Sequence, residues 1–257
     1  IDQDPSPTMI VYPTDTLARS ISENRLQPMI EISETLAEKY LPDVSDKMEL
    51  QFDGMYLVLA GSNSPSSLAS RPIKYLFLDE VDKYPGASNK EADPISLAKE
   101  RTKTFHNRKI FETSTPTLST NHIWKDLKNC DIIKHYWVPC PHCGKMIELK
   151  FANIQFPSGQ DMSYADRAEF AIYRCQECGG YIEDRYKPEM LRRGEWRVAE
   201  TNTKYVRKVG YWINTLYSPF VKWSEIVKKF LTSKDDPEEL QNFVNSWLAE
   251  PWEDTKI

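Results

Sequence analysis

The sequence predicts an α/β fold that carries a small four-cysteine insertion, and three observations lead to this prediction. Strand-like apolar runs alternate with helix-like segments over residues 8–129, which is the pattern of an α/β domain. One of those runs, over residues 75–78, ends in the acid pair Asp79 and Glu80. Two Cys-x-x-Cys pairs follow within residues 140–178, and cysteines paired in this way are typical of a metal site.

Composition and charge restrict the classes of protein to which the chain can belong. It has 257 residues and a formal net charge of −5, so any contact with nucleic acid has to be local. No apolar run reaches the ~18 residues of a membrane helix, and the first residues lack a signal-peptide pattern. Cysteines spaced in Cys-x-x-Cys pairs favour metal ligation in a reducing compartment over disulfides. These features predict a cytoplasmic protein with no membrane partner.

The first part of the chain predicts a strand, a helix and a hairpin in that order. Residues 8–12 predict a short buried strand, and residues 14–30 predict a helix capped by Thr14 or Asp15. Asp53-Gly54, which stands between two apolar runs, predicts the turn of a β-hairpin. The apolar stripe of the predicted helix consists of Leu17, Ile21, Leu26, Met29 and Ile30.

The strand over residues 75–78 is predicted to lie in the middle of a parallel sheet, buried on both faces, because its residues are all apolar or aromatic. α/β sheets bind ligands at the carboxyl ends of their strands, where Asp79 and Glu80 stand. In nucleotide hydrolysis the first acid of such a pair helps to hold Mg²⁺, and the second orients or deprotonates the attacking water. The alternative is a buried strand that ends in a solvated acidic turn.

A further strand, predicted over residues 109–113, runs into a cluster of hydroxyl side chains. The segment Thr113-Ser114-Thr115 stands where this strand ends, so its hydroxyls either lie beside a phosphate or form a hydroxyl-rich turn. A helix that begins at Pro94 precedes the strand, and another helix is predicted over residues 119–129.

The cysteine pairs predict a tetrahedral zinc site formed by Cys140, Cys143, Cys175 and Cys178. A glycine follows each pair, which fits two tight knuckles whose backbone N–H groups point at the thiolates. Iron in a rubredoxin-like site uses similar knuckles and is the alternative metal. Cys130 lies outside the pattern, and His142 lies within a knuckle, where the geometry makes it a poor ligand.

Beyond the cysteines, the sequence predicts one more strand and three helices. The strand, over residues 209–214, is expected to return to the main sheet. The helices are predicted over residues 187–193, 223–231 and 237–249, and Ser224 is available to cap the second of them.

Several short motifs occur together with the acid pair and the paired cysteines. They are Gly61-Ser62-Asn63-Ser64-Pro65, Leu78-Asp79-Glu80-Val81-Asp82, Thr113-Ser114-Thr115-Pro116, Phe243-Val244-Asn245 and Glu250-Pro251-Trp252-Glu253. With this set, the chain resembles the large terminase subunit of tailed bacteriophages, in the branch that includes gpA of phage lambda. Singly, only the cysteine pairs are a specific signal; jointly, the motifs are specific.

The resemblance implies a packaging ATPase of RecA-like, P-loop NTPase fold that drives double-stranded DNA into a procapsid, followed by a separate nuclease domain. Asp79 is then the Mg²⁺-associated Walker B acid, Glu80 is the catalytic base, and Thr113-Ser114-Thr115 couple hydrolysis to DNA movement. Mg²⁺ and ATP are the implied cofactors of the complete protein. The implied partners are double-stranded DNA, the small terminase subunit and the procapsid portal, with a homo-oligomer on the procapsid in the host-cell cytoplasm.

Two departures from the family pattern determine the domain prediction. No GxxxxGK[ST] phosphate-binding loop precedes residues 8–12, and Gly144-Lys145 belongs to a knuckle. The acidic cluster of the nuclease is expected beyond residue 257. The chain is therefore expected to be a middle piece that is inactive alone. Its predicted parts are a partial ATPase core without the first strand and P-loop (1–135), the zinc-binding insertion (136–185), and a strand and helices that complete the ATPase domain (186–257).

Two other classes of protein share some of these features. A helicase-like translocase would also carry the 79–82 acidic box, but nothing after Cys178 resembles its second RecA domain. A non-enzymatic zinc-binding adaptor for DNA or protein would lack a P-loop without truncation. Candidate DNA contacts form two basic clusters, with ordinary solvated faces as the alternative. The first cluster is Lys99, Arg101, Lys103, Arg108 and Lys109, and the second is Arg192, Arg193, Arg197, Lys204, Arg207 and Lys208.

Overall fold

The computed structural model describes residues 1–69, 71–85, 93–159 and 161–253. The chain divides into two compact units, Ile1–Ser114 and Thr115–Ile257. None of the described helices is long and apolar enough to cross a membrane.

The first unit is built on one five-stranded sheet with helices between its strands. Its strands are β1 (Thr8–Tyr12), β2 (Glu49–Phe52), β3 (Met55–Gly61), β4 (Tyr75–Asp79) and β5 (Lys109–Thr113). Its helices are α1 (Asp15–Ile21), α2 (Gln27–Ile32), α3 (Glu34–Ala37), α4 (Pro65–Leu68) and α5 (Pro94–Glu100). The strand order is β2-β3-β1-β4-β5, and every pair except β2/β3 is parallel. This arrangement confirms the α/β prediction.

The β2–β3 hairpin forms at the predicted Asp53-Gly54 turn. Gly54 has φ +76°, which a glycine adopts without the steric cost that a side chain would add. The register pairs Phe52 with Met55 and Leu50 with Leu57, so alternate residues of both strands face the same core.

The predicted helix over residues 14–30 is interrupted, and its apolar stripe is only partly buried. Thr14 caps α1 by accepting the Leu17 N–H, as predicted. A π-helical turn over Ser22–Leu26 then separates α1 from α2. The wider turn changes which residues of α2 face the sheet. Ile30 is fully buried, whereas Leu17 and Met29 are exposed, so the prediction is wrong for those two residues.

Strand β4 lies between β1 and β5 as expected, but it is not buried on both faces. Leu76 and Leu78 are fully buried, whereas Phe77 is 42% exposed. Phe77 lies opposite Phe111 of β5, with the two ring centroids 6.3 Å apart. On this side of the sheet the apolar residues of α1 and α2 pack with those of β1 and β3, so the described helices leave the β4–β5 part uncovered.

The second unit contains many short elements. Its strands are β6 (Ile132–Pro139), β7 (Met146–Ile147), β8 (Ile154–Gln155), β9 (Ile172–Arg174), β10 (Tyr181–Ile182), β11 (Glu195–Thr201) and β12 (Val209–Trp212). Its helices are α6 (His122–Lys128), α7 (Tyr164–Glu169), α8 (Lys187–Arg192), α9 (Trp223–Ser233) and α10 (Pro237–Trp247). The strands form a β10-β9-β8 sheet and a β11-β6-β12 sheet, with β7 paired to β6.

Strand β12 does not return to the five-stranded sheet, which corrects the expectation for residues 209–214. It pairs in parallel with β6, and Val209 lies opposite Ile132. The partner strand β6 is not predicted by the sequence analysis, because its apolar residues are interrupted by Lys134 and His135. Without β6, the sequence offers β12 no other partner than the main sheet.

Helix α9 anchors the core of the second unit through Trp223, which is fully buried. The ring N–H of Trp223 donates to the Leu216 carbonyl oxygen at 3.2 Å. The sequence predicts that Ser224 caps the start of this helix, and this prediction is wrong. Instead the Lys222 backbone N–H donates to the Glu225 carboxylate at 2.9 Å, because the helix begins one residue before Ser224.

Candidate functional site

The carboxyl ends of the parallel strands of the first unit meet at one edge of the sheet. Tyr12 of β1 lies opposite Gly61 of β3, and Asp79 of β4 lies opposite Thr113 of β5. The structure therefore places the predicted acid pair and the first predicted hydroxyl on neighbouring strands at this edge. Ser114 and Thr115 follow directly along the chain.

Glu80 has a left-handed backbone, with φ 59° and ψ 44°. For a residue other than glycine this conformation costs about 1–2 kcal/mol, and such strain is concentrated at functional sites. The residue stands between β4 and the 3-10 turn Val81–Lys83. Its carboxylate Oε2 is buried and lies 2.9 Å from Lys83 Nζ, close enough for an ion pair although the geometry is not that of a hydrogen bond. The turn thus fixes the direction of the Glu80 side chain.

The Asp79 carboxyl group is partly buried, and burial raises its pKa. The negative charge of Glu80 raises this pKa further, while the Glu80 backbone N–H opposes the shift. Burial and then the charge of Asp79 raise the pKa of Tyr12 and Tyr84. The Tyr84 hydroxyl donates to the Val11 carbonyl oxygen at 2.8 Å, so it is held in place beside the edge. The Asp79 carboxyl group therefore lies in surroundings that favour an added positive charge.

This raised pKa predicts that Asp79→Asn stabilises the fold. A carboxyl group whose folded pKa exceeds its unfolded pKa costs stability once the pH rises above the unfolded value of about 3.9. At pH 7 we expect the variant to be more stable by about 0.5–1 kcal/mol. Thermal unfolding at pH 7 and below pH 4 checks this. The gain has to shrink at the lower pH, and a loss of stability at pH 7 would contradict the account.

The predicted hydroxyl segment supports the turn that follows Glu80. Ser114 Oγ accepts a hydrogen bond from the Asp82 backbone N–H at 3.2 Å. One residue before Thr113 in β5, Glu112 lies opposite Leu78 of β4. The Glu112 carboxylate forms an ion pair with Lys99 at 2.8 Å. Ser114 thus connects the end of β5 with the 81–83 turn, while Thr115 is the first residue of the second unit.

Sequence reasoning missed the loop after β3 as part of this edge. The Asp15 carboxylate accepts the Gly61 backbone N–H at 2.7 Å, and the Asn63 side-chain oxygen accepts the Asp15 backbone N–H at 3.2 Å. A Cβ at position 61 would lie 2.2 Å from the Asp15 backbone nitrogen, so only glycine allows this approach. The Gly61-Ser62-Asn63 segment was visible as a motif, but no spacing rule connects it to Asp15.

The second predicted site lies in the second unit, where the four paired cysteines come together. The Sγ atoms of Cys140, Cys143, Cys175 and Cys178 all lie within 4.8 Å of one another. Cys140 Sγ and Cys178 Sγ are 3.9 Å apart. Thiolates at about 2.3 Å from a tetrahedral zinc ion are separated by about 3.8 Å, so the donor set fits such an ion. His142 and Cys130 are not part of this cluster.

The two knuckles have the same hydrogen-bond pattern. In the first, the Gly144 N–H donates to the Cys140 carbonyl at 2.9 Å, and in the second the Gly179 N–H donates to the Cys175 carbonyl at 2.9 Å. Both glycines have positive φ, of 71° and 72°. In each knuckle a backbone N–H also points at the first sulfur at 3.4 Å. Donors aimed at sulfur favour the thiolate form, which is the form that binds metal.

Burial raises the pKa of the Cys140 thiol to about 12, against the effect of those N–H donors. Cys140 and Cys175 lie in the apolar core of the second unit, beside Tyr173 and Ile182. His142 Nε2 is 2.7 Å from the Tyr181 carbonyl oxygen, so this ring is engaged with β10. Cys143 and Cys178 are exposed, so the cluster lies at the edge of this core. Four thiolates fill the coordination of a tetrahedral ion, so this is a ligand set for a closed site with no open coordination position.

The structure divides the second basic cluster into paired and unpaired cations. Arg197 pairs with Glu195 at 2.7 Å, and Lys208 pairs with Asp126 at 3.5 Å. Arg192 pairs with Glu189, its neighbour along the helix. The remaining members form no ion pair with any other residue that the structure describes; they are Arg193, Lys204 and Arg207. In the first cluster, Lys99 pairs with Glu112 and Lys103 with Glu100.

A parallel α/β sheet with two successive acids at its carboxyl edge is an arrangement found in nucleoside triphosphatases. A family model described as phage terminase large subunit gpA, ATPase domain, matches residues 1–196. A second model, the endonuclease domain of the same subunit, matches residues 208–257. The chain belongs to the phage terminase large subunit gpA family.

Two curated relatives are large terminase subunits. That of Enterobacteria phage P21 is 24% identical over 272 residues, and that of Escherichia phage lambda is 25% identical over 278 residues. Each alignment covers 96% of this chain and 42% of the relative. The chain thus spans about two-fifths of the length of these relatives.

Solved structures that resemble the chain also come from terminases. The large terminase ATPase domain of Thermus phage P74-26 is 12% identical, with a TM-score of 0.44 over 96% of this chain and 77% of that one. The large terminase of bacteriophage HK97 is 13% identical, with a TM-score of 0.39 over 48% of this chain and 25% of that one. Family membership rests on the family model, not on these likenesses.

The endonuclease match bears on the C-terminal part of the chain. Strand β12 and helices α9 and α10 fall within residues 208–257, which match the endonuclease model. From the sequence, residues 186–257 are predicted to complete the ATPase domain. The domain boundaries stay a prediction, and so does an acidic nuclease cluster beyond residue 257.

Proposed function

We propose that this chain is part of the ATP-driven motor that packages viral DNA, and that the carboxyl edge of β4 is the hydrolytic half of its nucleotide site. The ATPase-domain match to residues 1–196 supports the assignment to a motor. The observation that carries the site is the acid pair itself. Asp79 ends the parallel strand β4, and Glu80 is held in a left-handed backbone directly after it.

Asp79 is the residue proposed to hold Mg²⁺, because its carboxylate is partly buried beside a second acid and gains from an added cation. Mg²⁺ held by Asp79 would neutralise charge on the phosphates, and ATP would supply the phosphorus that water attacks. Glu80 accepts the proton of that water, and the Lys83 ion pair orients its carboxylate. Asp79→Asn is accordingly expected to weaken the binding of Mg-ATP in the complete protein.

The proposed coupling segment is Thr113-Ser114-Thr115. Thr113 lies opposite Asp79 in the register, and Ser114 Oγ accepts the Asp82 N–H. A change in the 80–83 turn during hydrolysis therefore acts on the end of β5 through a direct hydrogen bond. We propose that this is the first step by which hydrolysis moves DNA. Double-stranded DNA, the small terminase subunit, the procapsid portal and other copies of the chain are the proposed partners.

We also propose that the four-cysteine cluster binds zinc in a structural site. The support is the 3.9 Å distance between Cys140 Sγ and Cys178 Sγ, together with the ligand set of four sulfur atoms. The knuckles connect β6–β7 with β9–β10, so a metal here would join two hairpins of the second unit.

The binding of Mg-ATP tests the proposed nucleotide site. The 257 residues contain no GxxxxGK[ST] loop, whose N–H groups and lysine normally hold the phosphates. We therefore expect the chain alone to bind Mg-ATP weakly, with a Kd above about 1 mM, and to hydrolyse it negligibly. A chain extended upstream through the phosphate-binding loop of its gene should bind at least about tenfold more tightly.

Isothermal titration calorimetry on the two chains measures this difference. Mg-AMP is the matched ligand control, because it lacks the β- and γ-phosphates that the loop holds, and its affinity should be the same for both chains. Equal affinity of the two chains for Mg-ATP would contradict the proposal and would indicate a site unrelated to the phosphate-binding loop.

A further inference from the structure

The β11-β6-β12 sheet has one face that is apolar and exposed at the same time. In the register, Trp196 of β11 lies opposite Tyr136 of β6, and Tyr211 of β12 lies opposite Lys134. Because side chains alternate along a strand, these four residues share one face. Trp196 is 38% exposed and Tyr211 is 52% exposed. The solvent face of a sheet is normally polar, so an exposed aromatic face marks an interaction surface.

The opposite face of the sheet has different neighbours, so the two faces are distinct. Ile133 of β6 is buried there, and the ring of His135 packs on that of Trp212 with centroids 4.9 Å apart. The Trp212 ring N–H donates to the Ala249 carbonyl oxygen at 2.7 Å. The C-terminal segment thus packs against Trp212 on this side, where Ile133 and His135 also line a cavity of about 860 Å³, and it leaves the Trp196 side open.

The open face, which we call the aromatic face, is arranged as a continuous row of rings. The centroid of Trp196 is 5.1 Å from that of Tyr136 and 5.0 Å from that of Tyr211. The Tyr136 hydroxyl donates to the Leu191 carbonyl oxygen at 2.8 Å. A Cβ at Gly194 would lie 2.5 Å from the Tyr136 ring, so this glycine makes room for it. The rings are therefore held in place before any ligand arrives.

The charges of the aromatic face are positive. Lys134 Nζ lies over the Tyr211 ring, 5.9 Å from its centroid, and forms no ion pair with a described residue. The strand residues on this face include no carboxylate. They are Ile132, Lys134, Tyr136, Trp196, Val198, Thr201, Val209 and Tyr211. Unpaired cations flank the face, with Arg193 before β11 and with Lys204 and Arg207 in the loop that follows it. In a chain of net charge −5, this local excess favours an anionic partner.

From these observations we propose that the aromatic face binds single-stranded nucleic acid, with bases stacked on the exposed rings of Trp196 and Tyr211, with Tyr136 supporting Trp196 from the core side, and with phosphates near Lys134 and the flanking cations. Exposed rings on a sheet face stack unpaired bases, whereas a duplex hides its bases and offers only phosphates. The distance along β6 from Ile132 to Tyr136 is about 13 Å, room for two or three bases. This proposal goes beyond the proposed motor function, does not depend on the acid pair, and stands even if that assignment fails.

The test is fluorescence anisotropy of the full chain with a labelled thymidine oligonucleotide of about 12 nucleotides, compared with a duplex of the same length. We expect the single strand to bind more tightly than the duplex. Tyr211→Thr should weaken single-strand binding about tenfold, while Tyr211→Phe, which keeps the ring, should retain it. Lys134→Gln should reduce the slope of log K against the logarithm of the salt concentration by about 0.7, because one phosphate contact is lost. Phe170→Ala, which removes an exposed ring between α7 and β9, outside this sheet, is the matched control and should change nothing.

Thermal unfolding of each variant confirms that it is folded before binding is compared. Equal binding of single strand and duplex, or equal loss with Tyr211→Phe and Tyr211→Thr, would overturn the proposal, because stacking would then play no part. Self-association of the chain that Tyr211→Thr abolishes, without binding of the single strand, would show that the face is a protein interface instead.

Discussion

A Cys175→Ser variant is expected to lose its metal and the folded structure of the second unit. Cys175 is 1% exposed and lies with Cys140 in the same apolar core as Tyr173 and Ile182. Structural zinc contributes about 10–16 kcal/mol of apparent binding free energy in small domains, comparable to the whole stability of an ordinary domain. Loss of one thiolate, and of the metal with it, is therefore expected to cost more free energy than the folding stability of this unit.

Elemental analysis and circular dichroism measure this effect. The parental chain should contain one zinc per molecule, and the variant should contain none and lose its cooperative thermal transition in the second unit. Cys130→Ser is the matched control, because Cys130 is buried but lies outside the cluster, and it should keep the metal. Iron in the parental chain would select the rubredoxin-like alternative. Substoichiometric metal together with an unchanged fold of Cys175→Ser would refute the structural site.

The elements that the sequence predicted well depend on local chemistry. Asp53-Gly54 has one favoured turn type, so the hairpin follows from two residues. The cysteine spacing fixes each knuckle by itself, and only the meeting of the two knuckles needs the fold. Asp79 and Glu80 were placed at the carboxyl edge because a buried apolar run ends there, and the parallel register with Thr113 confirms that position.

The elements that the sequence missed depend on contacts between distant residues. Strands β6 and β11 pair over residues 132–137 and 195–201, yet each mixes charged with aromatic residues and has no clear period. The register shift between Val198 and Glu200 breaks the alternation further. The aromatic face exists only because these strands pair, so Trp196 and Tyr211 could not be placed together from sequence.

The carboxyl edge of β4 also combines features that the sequence predicts with features that depend on the fold. The sequence identified Glu80, but its left-handed backbone and its ion pair with Lys83 are properties of the folded turn. The approach of Gly61 to Asp15 is likewise a close contact between two loops that no spacing rule predicts. Residue types indicate the chemistry, and the fold determines how tightly each group is held.

Glu80→Gln in the chain extended through the phosphate-binding loop is expected to abolish ATP turnover. The amide keeps the size of the side chain but cannot accept the proton of the attacking water, so the rate should fall by about 10²–10⁴-fold. Affinity for Mg-ATP should stay within about threefold, because Asp79 and the phosphate-binding loop are unchanged. Glu31→Gln, an exposed substitution in α2, is the matched control and should leave the rate unaltered.

Steady-state ATP hydrolysis by these two variants and by the parental extended chain, with calorimetry for binding, tests whether Asp79 and Glu80 form the hydrolytic half of the site. We expect Glu80→Gln to bind Mg-ATP without turning it over, whereas Glu31→Gln should do both. Hydrolysis by Glu80→Gln at close to the parental rate would contradict the assignment of the acid pair as the hydrolytic half of the site.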